Sequence, residues 1–248
     1  MSRIGIIGGT GLTKIRQLEI VKRQVVHTPY GEPSGFFTWG QLFGHEIIFL
    51  ARHGYSHHLP PHKVNYRANI WAMQDLGVER VIAFNAVGGI TEEMQPETIV
   101  IPHQIIDYTH GRDHTFFEGE NSSGVTHIDF TEPYCAQTRE ALIKAAEKAG
   151  VKIVSKAVYA ATQGPRLETA AEIDKLEKDG CSIVGMTGMP EAALAKEKGL
   201  SYAACAIVAN RAAGRGDGEI TVEMIEAHLK NGIVSAAKLL EAVMPKLL

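Results

Sequence analysis

Cysteine is scarce: Cys135, Cys181 and Cys205 are the only three in 248 residues. An odd number with no C-x-x-C spacing argues against a disulfide framework or a zinc knuckle and makes a reducing, cytoplasmic setting the default expectation. An excess of one charge is missing too. Lys and Arg total 25 against 28 Asp and Glu, a formal net charge of -3, so no overall field draws in a nucleic-acid backbone or an anionic membrane. Any anion site must be local. Long hydrophobic runs are absent: the apolar start Ile4–Ile7 breaks at Gly8-Gly9, too short for the core of a signal peptide, and nowhere do about eighteen apolar residues run together. Neither a targeting nor a membrane-spanning segment is expected. No Pro-, Ser- or Gly-rich linker, internal repeat or low-complexity tract divides the chain, so one domain over residues 1–248 is expected.

What is present is an alternation. Short β-branched runs recur at Ile4–Ile7, Ile47–Leu50, Val81–Phe84, Thr98–Ile101, Ile153–Tyr159, Ile183–Val184 and Ala203–Val208. Segments with helical periodicity lie between several of them, at Val64–Leu76, Gln137–Ala149, Thr169–Lys178, Glu191–Lys198 and Thr221–Leu240. Most strand runs lack polar alternation, which predicts burial on both faces: an α/β fold with a mixed, largely parallel twisted sheet flanked by helices. The longest stretch without clear periodicity, Tyr108–Pro133, is polar and rich in histidine, as loops serving a site or an interface often are.

Three strand ends carry matching chemistry. Ile4-Gly5-Ile6-Ile7-Gly8-Gly9-Thr10-Gly11 runs into a glycine turn whose backbone N–H groups and Thr10 hydroxyl can cradle an oxyanion, or simply turn sharply. A dinucleotide fingerprint fits poorly. Counting G-x-G-x-x-G from Gly9 puts Lys14 at the third glycine, and Gln24–Thr28 offers no acidic residue for a ribose. Leu50-Ala51-Arg52-His53-Gly54 ends a strand in a planar cationic fork suited to phosphate and an imidazole able to donate a further hydrogen bond; the alternative is a solvated strand end. Phe84-Asn85-Ala86-Val87-Gly88-Gly89 supplies a third cradle. Jointly they ask for an oxyanion, phosphate or a phosphorylated ligand.

Two more segments suit a planar heterocycle: Gln163-Gly164-Pro165-Arg166-Leu167-Glu168-Thr169 and Val184-Gly185-Met186-Thr187-Gly188-Met189-Pro190-Glu191. Met186 offers an adaptable apolar surface beside a ring or sugar, or is core. Asn210, following the apolar run Ala206–Ala209, needs partners, whether in a turn or on a ligand.

Together these motifs, with Lys63–Ala72 and the final helix, resemble the trimeric purine nucleoside phosphorylases, in the branch that contains S-methyl-5'-thioadenosine phosphorylase. The resemblance runs in order along nearly the whole chain. It implies the nucleoside phosphorylase fold, a cytoplasmic homotrimer, and a pentosyltransferase that uses inorganic phosphate as co-substrate, with no cofactor and no metal. Carried over by residue, it implies that Thr10, Arg52, His53, the Ala86 N–H and Thr187 hold the phosphate. Asn85 stands where the thioadenosine enzymes have threonine, and its share in the contact is open. Met186 is then the ribose contact, Glu168 and Asn210 the base readers beside Arg211 and Ala212, and Asn210 with His53 the catalytic pair.

Hydrogen-bond inventory separates the possible bases. A 6-oxopurine presents N1–H and an O6 acceptor; adenine presents the inverse. An ionised Glu168 suits the N1–H, and the Asn210 amide can donate to O6 and accept from N7–H as the leaving base gains a proton. The thioadenosine enzymes typically carry aspartate at the Asn210 position, so a 6-oxopurine is expected here. At the 5' end of the ribose, Val222 and Ile225 fall on one helical face and would line an apolar pocket for a methylthio group, or simply be core. His127 resembles the residue that a neighbouring subunit lends to this pocket. The combination points to a 6-oxopurine 5'-methylthionucleoside, S-methyl-5'-thioinosine, cleaved to hypoxanthine and 5-methylthio-α-D-ribose 1-phosphate in purine salvage.

The alternatives are an inosine/guanosine phosphorylase, a thioadenosine phosphorylase, a non-catalytic nucleotide sensor and a nicotinamide-linked reductase. His53, His57, His58 and His62 invite a metal, but no H-E-x-x-H or Cys/His spacing supports one, and an exposed polar loop is the simpler reading.

Overall fold

The computed structural model describes residues 3–9, 18–118 and 125–247. The expected α/β alternation is there: a mixed sheet of eleven strands among the described residues, flanked by helices. Its centre is β5 (Val78–Gly89), paired in parallel with β1 (Arg3–Gly8) on one side and β11 (Ser201–Arg211) on the other. Beyond β1 lie β4 (His45–Ala51), β3 (Phe37–Leu42) and the edge strand β2 (Leu18–Gln24). In the other direction β5 meets β10 (Ile183–Gly185), then β9 (Val158–Ala161) and β7 (Gln104–Asp107), while β6 (Ile99–Val100) and β8 (Ile153–Val154) continue from β11.

Period-two alternation buries both faces of the central strands. Along β1, Ile4 and Ile6 join one core layer and Ile7 the other. The first layer is covered by α2 (Ala136–Ala149) and α5 (Val222–Leu247) through Leu142, Ala146, Leu239 and Val243. The second is covered by α1 (Tyr66–Asp75) and α4 (Gly188–Glu197) through Ile70, Met73, Leu194 and Ala195. The remaining helix, α3 (Ala170–Lys178), begins at Thr169 with a reciprocal Thr169–Glu172 capping box. The expected run Ile153–Tyr159 is two short strands, β8 and β9. Strands β2, β3 and β7 have no counterpart in the apolar runs: β2 is largely exposed and charged, and in β3 a Cβ on Gly40 would come within 2.8 Å of the Glu19 carbonyl.

Candidate active site

The sheet has a gap where the predicted strand ends meet. Pairing of β1 with β5 stops at Ile7 opposite Ala83, and β10 joins the same edge only at Gly88, opposite Val184. Among the described residues, Phe84–Val87 therefore present that edge unpaired. The Phe84 carbonyl points into the gap, because it accepts from Arg52 Nη1 at 2.8 Å. Residues two apart along a strand direct their backbone groups the same way, so the Ala86 N–H faces the gap too. Ala86 is exposed while Asn85 and Val87 on either side are buried. An open backbone donor at a break in a sheet is a place for an anion.

Arg52 follows β4 and is anchored by its own N–H to the Gly8 carbonyl at 3.0 Å. Its side chain is 1% exposed. Nε and Nη2 donate to Glu191 Oε2 and Oε1 at 2.6 and 2.7 Å, a bidentate pair with a wholly buried carboxylate. With Phe84 taking one Nη1 hydrogen, one hydrogen is left on each terminal nitrogen, a fork for a further oxyanion. Burial alone would push the guanidinium pKa down, but the Glu191 carboxylate outweighs it and holds it above its ordinary value. Tyr202 donates to the same Glu191 Oε1 at 2.8 Å.

Thr187 stands at the N-cap of α4, yet its side chain does not cap the helix. Its hydroxyl oxygen accepts from Asn85 Nδ2 at 2.9 Å, leaving the hydroxyl hydrogen to donate elsewhere; Asn85 Oδ1 is buried without a partner. The structure thus brings Arg52, Asn85, Ala86 and Thr187 around one gap. Thr10 lies outside the described residues.

His53 differs from the expectation that it donates. Its Nδ1 hydrogen goes to the Leu59 carbonyl at 2.8 Å, and burial together with the Arg52 charge lowers its pKa to about 4. The ring is neutral near pH 7 with Nε2 an acceptor, suited to the P–OH of a phosphate dianion. A histidine with a depressed folded pKa adds stability above its unfolded value near 6.5, and that stability is lost as pH falls towards about 4. Denaturant titrations from pH 7 to 4 should show this decline in the wild type and a shallower one in His53→Gln; parallel curves would mean that His53 is not the group responsible.

The second group stands at the ends of β9, β10 and β11. Thr162 Oγ1 donates to Glu168 Oε1 at 2.6 Å, closing the turn that precedes α3. Within it Gly164 has φ +64°, and a Cβ there would meet Met186 Sδ at 2.3 Å, so only glycine lets Met186 pack against this turn. Asn210, 7% exposed, ends β11 opposite Gly88 and donates through Nδ2 to the Arg211 carbonyl at 2.7 Å. The loop after it is tied to α3 by Arg215, which pairs with Asp174 and Glu177 at 2.8 and 2.6 Å. The loop that Asn210 leads into therefore lies beside the helix that Glu168 precedes. Asn210 opens on a hollow also lined by Pro96, Ala212, Ile220, Met224 and His228.

Two of the expected contacts stand differently around this hollow. Arg211 borders the hollow, and its guanidinium donates to the carbonyls of Ile90, Thr91, Met94 and Arg215. It braces the loop after β5. From α5 the hollow takes Met224 and His228 instead of Val222 and Ile225; Val222 is 65% exposed and Ile225 half-buried. At about 100° per residue Met224 and His228 share one stripe, and Val222 falls on nearly the opposite side. His127 is exposed on a segment without regular structure. Among the described residues no group of three or more His, Cys, Asp or Glu side chains gathers to hold a metal.

Residues 3–245 match the Phosphorylase superfamily, and the chain belongs to that family. It is 57% identical over 220 residues to a probable S-methyl-5'-thioinosine phosphorylase of Xanthomonas campestris, covering 88% of each chain. It is 46% identical to a 6-oxopurine nucleoside phosphorylase of Pyrococcus furiosus, over 99% of this chain and 93% of that one. Among solved structures, methylthioadenosine phosphorylase from Schistosoma mansoni in complex with adenine superposes with a TM-score of 0.93 at 34% identity, covering 99% of this chain and 92% of the other.

Proposed function

We propose that the protein is a pentosyltransferase of the purine nucleoside phosphorylase type that cleaves 6-oxopurine nucleosides with inorganic phosphate, and that its preferred substrate is S-methyl-5'-thioinosine. The observation that carries the reading is the unpaired edge of β5 held by Arg52, Asn85 and Thr187, with an amide, Asn210, on a hollow at the end of the adjoining strand β11. The family and the relatives of known name support the chemistry. Phosphate sits in the gap, held by the Arg52 fork, the Ala86 N–H, the Thr187 hydroxyl and Thr10, with His53 Nε2 accepting from its P–OH and Asn85 orienting the Thr187 hydroxyl. As the glycosidic bond lengthens the sugar becomes oxocarbenium-like. Phosphate stabilises that cation and then bonds to it, while Asn210 stabilises the negative charge building on the purine. Products are hypoxanthine and 5-methylthio-α-D-ribose 1-phosphate. Met186 contacts the ribose; Ile220 and Met224 furnish apolar wall for the methylthio group, completed by His127 of a neighbouring subunit in a cytoplasmic homotrimer.

One feature favours 5'-hydroxyl substrates as a second activity. His228 lines the same hollow, and its Nδ1 donates to the Ala209 carbonyl at 2.9 Å, which leaves Nε2 to meet a hydroxyl. A phosphorolysis assay on methylthioinosine, methylthioadenosine, inosine and adenosine decides between them. Methylthioinosine should lead, with inosine second and both adenine nucleosides far behind; absence of phosphate-dependent base release from all four would overturn the reading.

A further inference from the structure

Arg112 belongs to the polar segment between β7 and α2, outside every motif that pointed to the site. It is 9% exposed, and its donors converge on two turns from opposite directions. Nη1 donates to the Met186 carbonyl at 2.8 Å and the Met189 carbonyl at 2.6 Å. Nη2 donates to the carbonyls of Thr162 and Gln163 at 3.2 and 2.8 Å, and Nε to Gln163 Oε1 at 3.1 Å. The guanidinium also lies 5.5 Å from the centre of the Tyr66 ring. One planar group thus ties the turn that carries Glu168 to the turn that carries Met186 and Thr187.

We infer that Arg112 is the positioning residue that keeps the base-reading turn and the phosphate-and-sugar turn in one frame, so that base selectivity and phosphate affinity depend on a side chain that touches neither ligand. The inference rests on the proposed phosphorylase reading. A planar fork suits this role because its donors are fixed relative to one another, so the carbonyls they bind are fixed too. On one side the chain of contacts runs from Arg112 to the Thr162 carbonyl and from the Thr162 hydroxyl to Glu168. On the other it runs through the Met186 carbonyl, part of the same peptide group as the Thr187 N–H, to the hydroxyl that meets Asn85. Met186 resting on Gly164 brings the two turns into direct contact.

The test compares Arg112→Lys and Arg112→Met with Glu168→Gln and Arg52→Met. Lysine keeps the charge and three donors but not the fork, and carries the measurement should the methionine variant not fold. Since about 1 Å of misplacement can cost a hundredfold, Arg112→Lys is expected to reduce the ratio of kcat/KM for methylthioinosine over methylthioadenosine by about tenfold or more. In the same variant the phosphate KM should rise by a similar factor. Glu168→Gln should move mainly the first quantity and Arg52→Met mainly the second. A folded Arg112→Lys with both quantities unchanged, or with every rate lowered in equal proportion, would overturn the inference while the wild-type activity left the phosphorylase reading standing. A wild type inactive on every nucleoside would instead sink the reading itself.

Discussion

Replacing Asn210 by aspartate is expected to shift kcat/KM for methylthioinosine relative to methylthioadenosine by about a hundredfold or more towards the adenine nucleoside. The argument is one of polarity. Asn210 is 7% exposed and sits on the hollow where the base is proposed to lie. Its amide can offer a donor to O6 and an acceptor to N7–H. A carboxylate has no donor to give, so O6 would face an oxyanion across a poorly solvated gap while an adenine amino group would gain an acceptor. Sites built to bond one hydrogen-bond pattern reject another by about 10⁴ or more because a buried group is left unpaired, and one of the two readers should account for a large part of that. The aspartate also loses the donor that holds the Arg211 carbonyl, so the ratio of the two substrates is the quantity to read, not either rate alone. Measured at saturating phosphate, an unchanged ratio would remove Asn210 from base recognition. Asn210→Ala should lower both rates with little effect on phosphate KM.

How much of this was legible in the sequence depends on the reach of each interaction. The strand ends were legible because an apolar run that stops at a glycine or a polar residue is a local signal, and α3 was legible to within one residue, Thr169–Lys178 against Ala170–Lys178, because helical periodicity is local too. Arg52 was visible as a cation at such an end. Its partner was not. Glu191 in the first turn of a helix reads as an ordinary complement to the helix dipole, and only the fold reveals that its carboxylate is buried against an arginine 139 positions away. Arg112 gave still less, since the polar segment around it has no period and most of its acceptors are backbone carbonyls, which every residue type supplies equally. The bracing role of Arg211 was hidden as well. A residue next to Asn210 on a strand sends its side chain to the opposite face, and there the guanidinium meets the loop after β5.

Removing either member of the Arg52–Glu191 pair is expected to destabilise the fold by about 3–5 kcal/mol, the usual consequence of stranding a buried charge. At about 2–4 °C per kcal/mol for a chain of this size, that is a fall of roughly 10 °C in the thermal midpoint. The two single changes are not equivalent. Glu191→Gln leaves a buried guanidinium with no carboxylate, facing the gap where phosphate is proposed to bind, so phosphate itself becomes the missing counter-ion. Saturating phosphate should therefore raise the midpoint of Glu191→Gln more than that of the wild type. Arg52→Met leaves an unpaired carboxylate beside the same gap, and phosphate should protect it least of all. The double variant Arg52→Met, Glu191→Leu removes both charges and fills the space with apolar atoms. Replacing a buried pair in this way is often nearly neutral, so the double variant should be more stable than either single one while still failing to respond to phosphate. A double variant whose loss equals the sum of the two single losses would show that the residues act independently. Equal phosphate protection in all four proteins would place the anion away from Arg52, since protection by a bound ligand requires the residues that hold it.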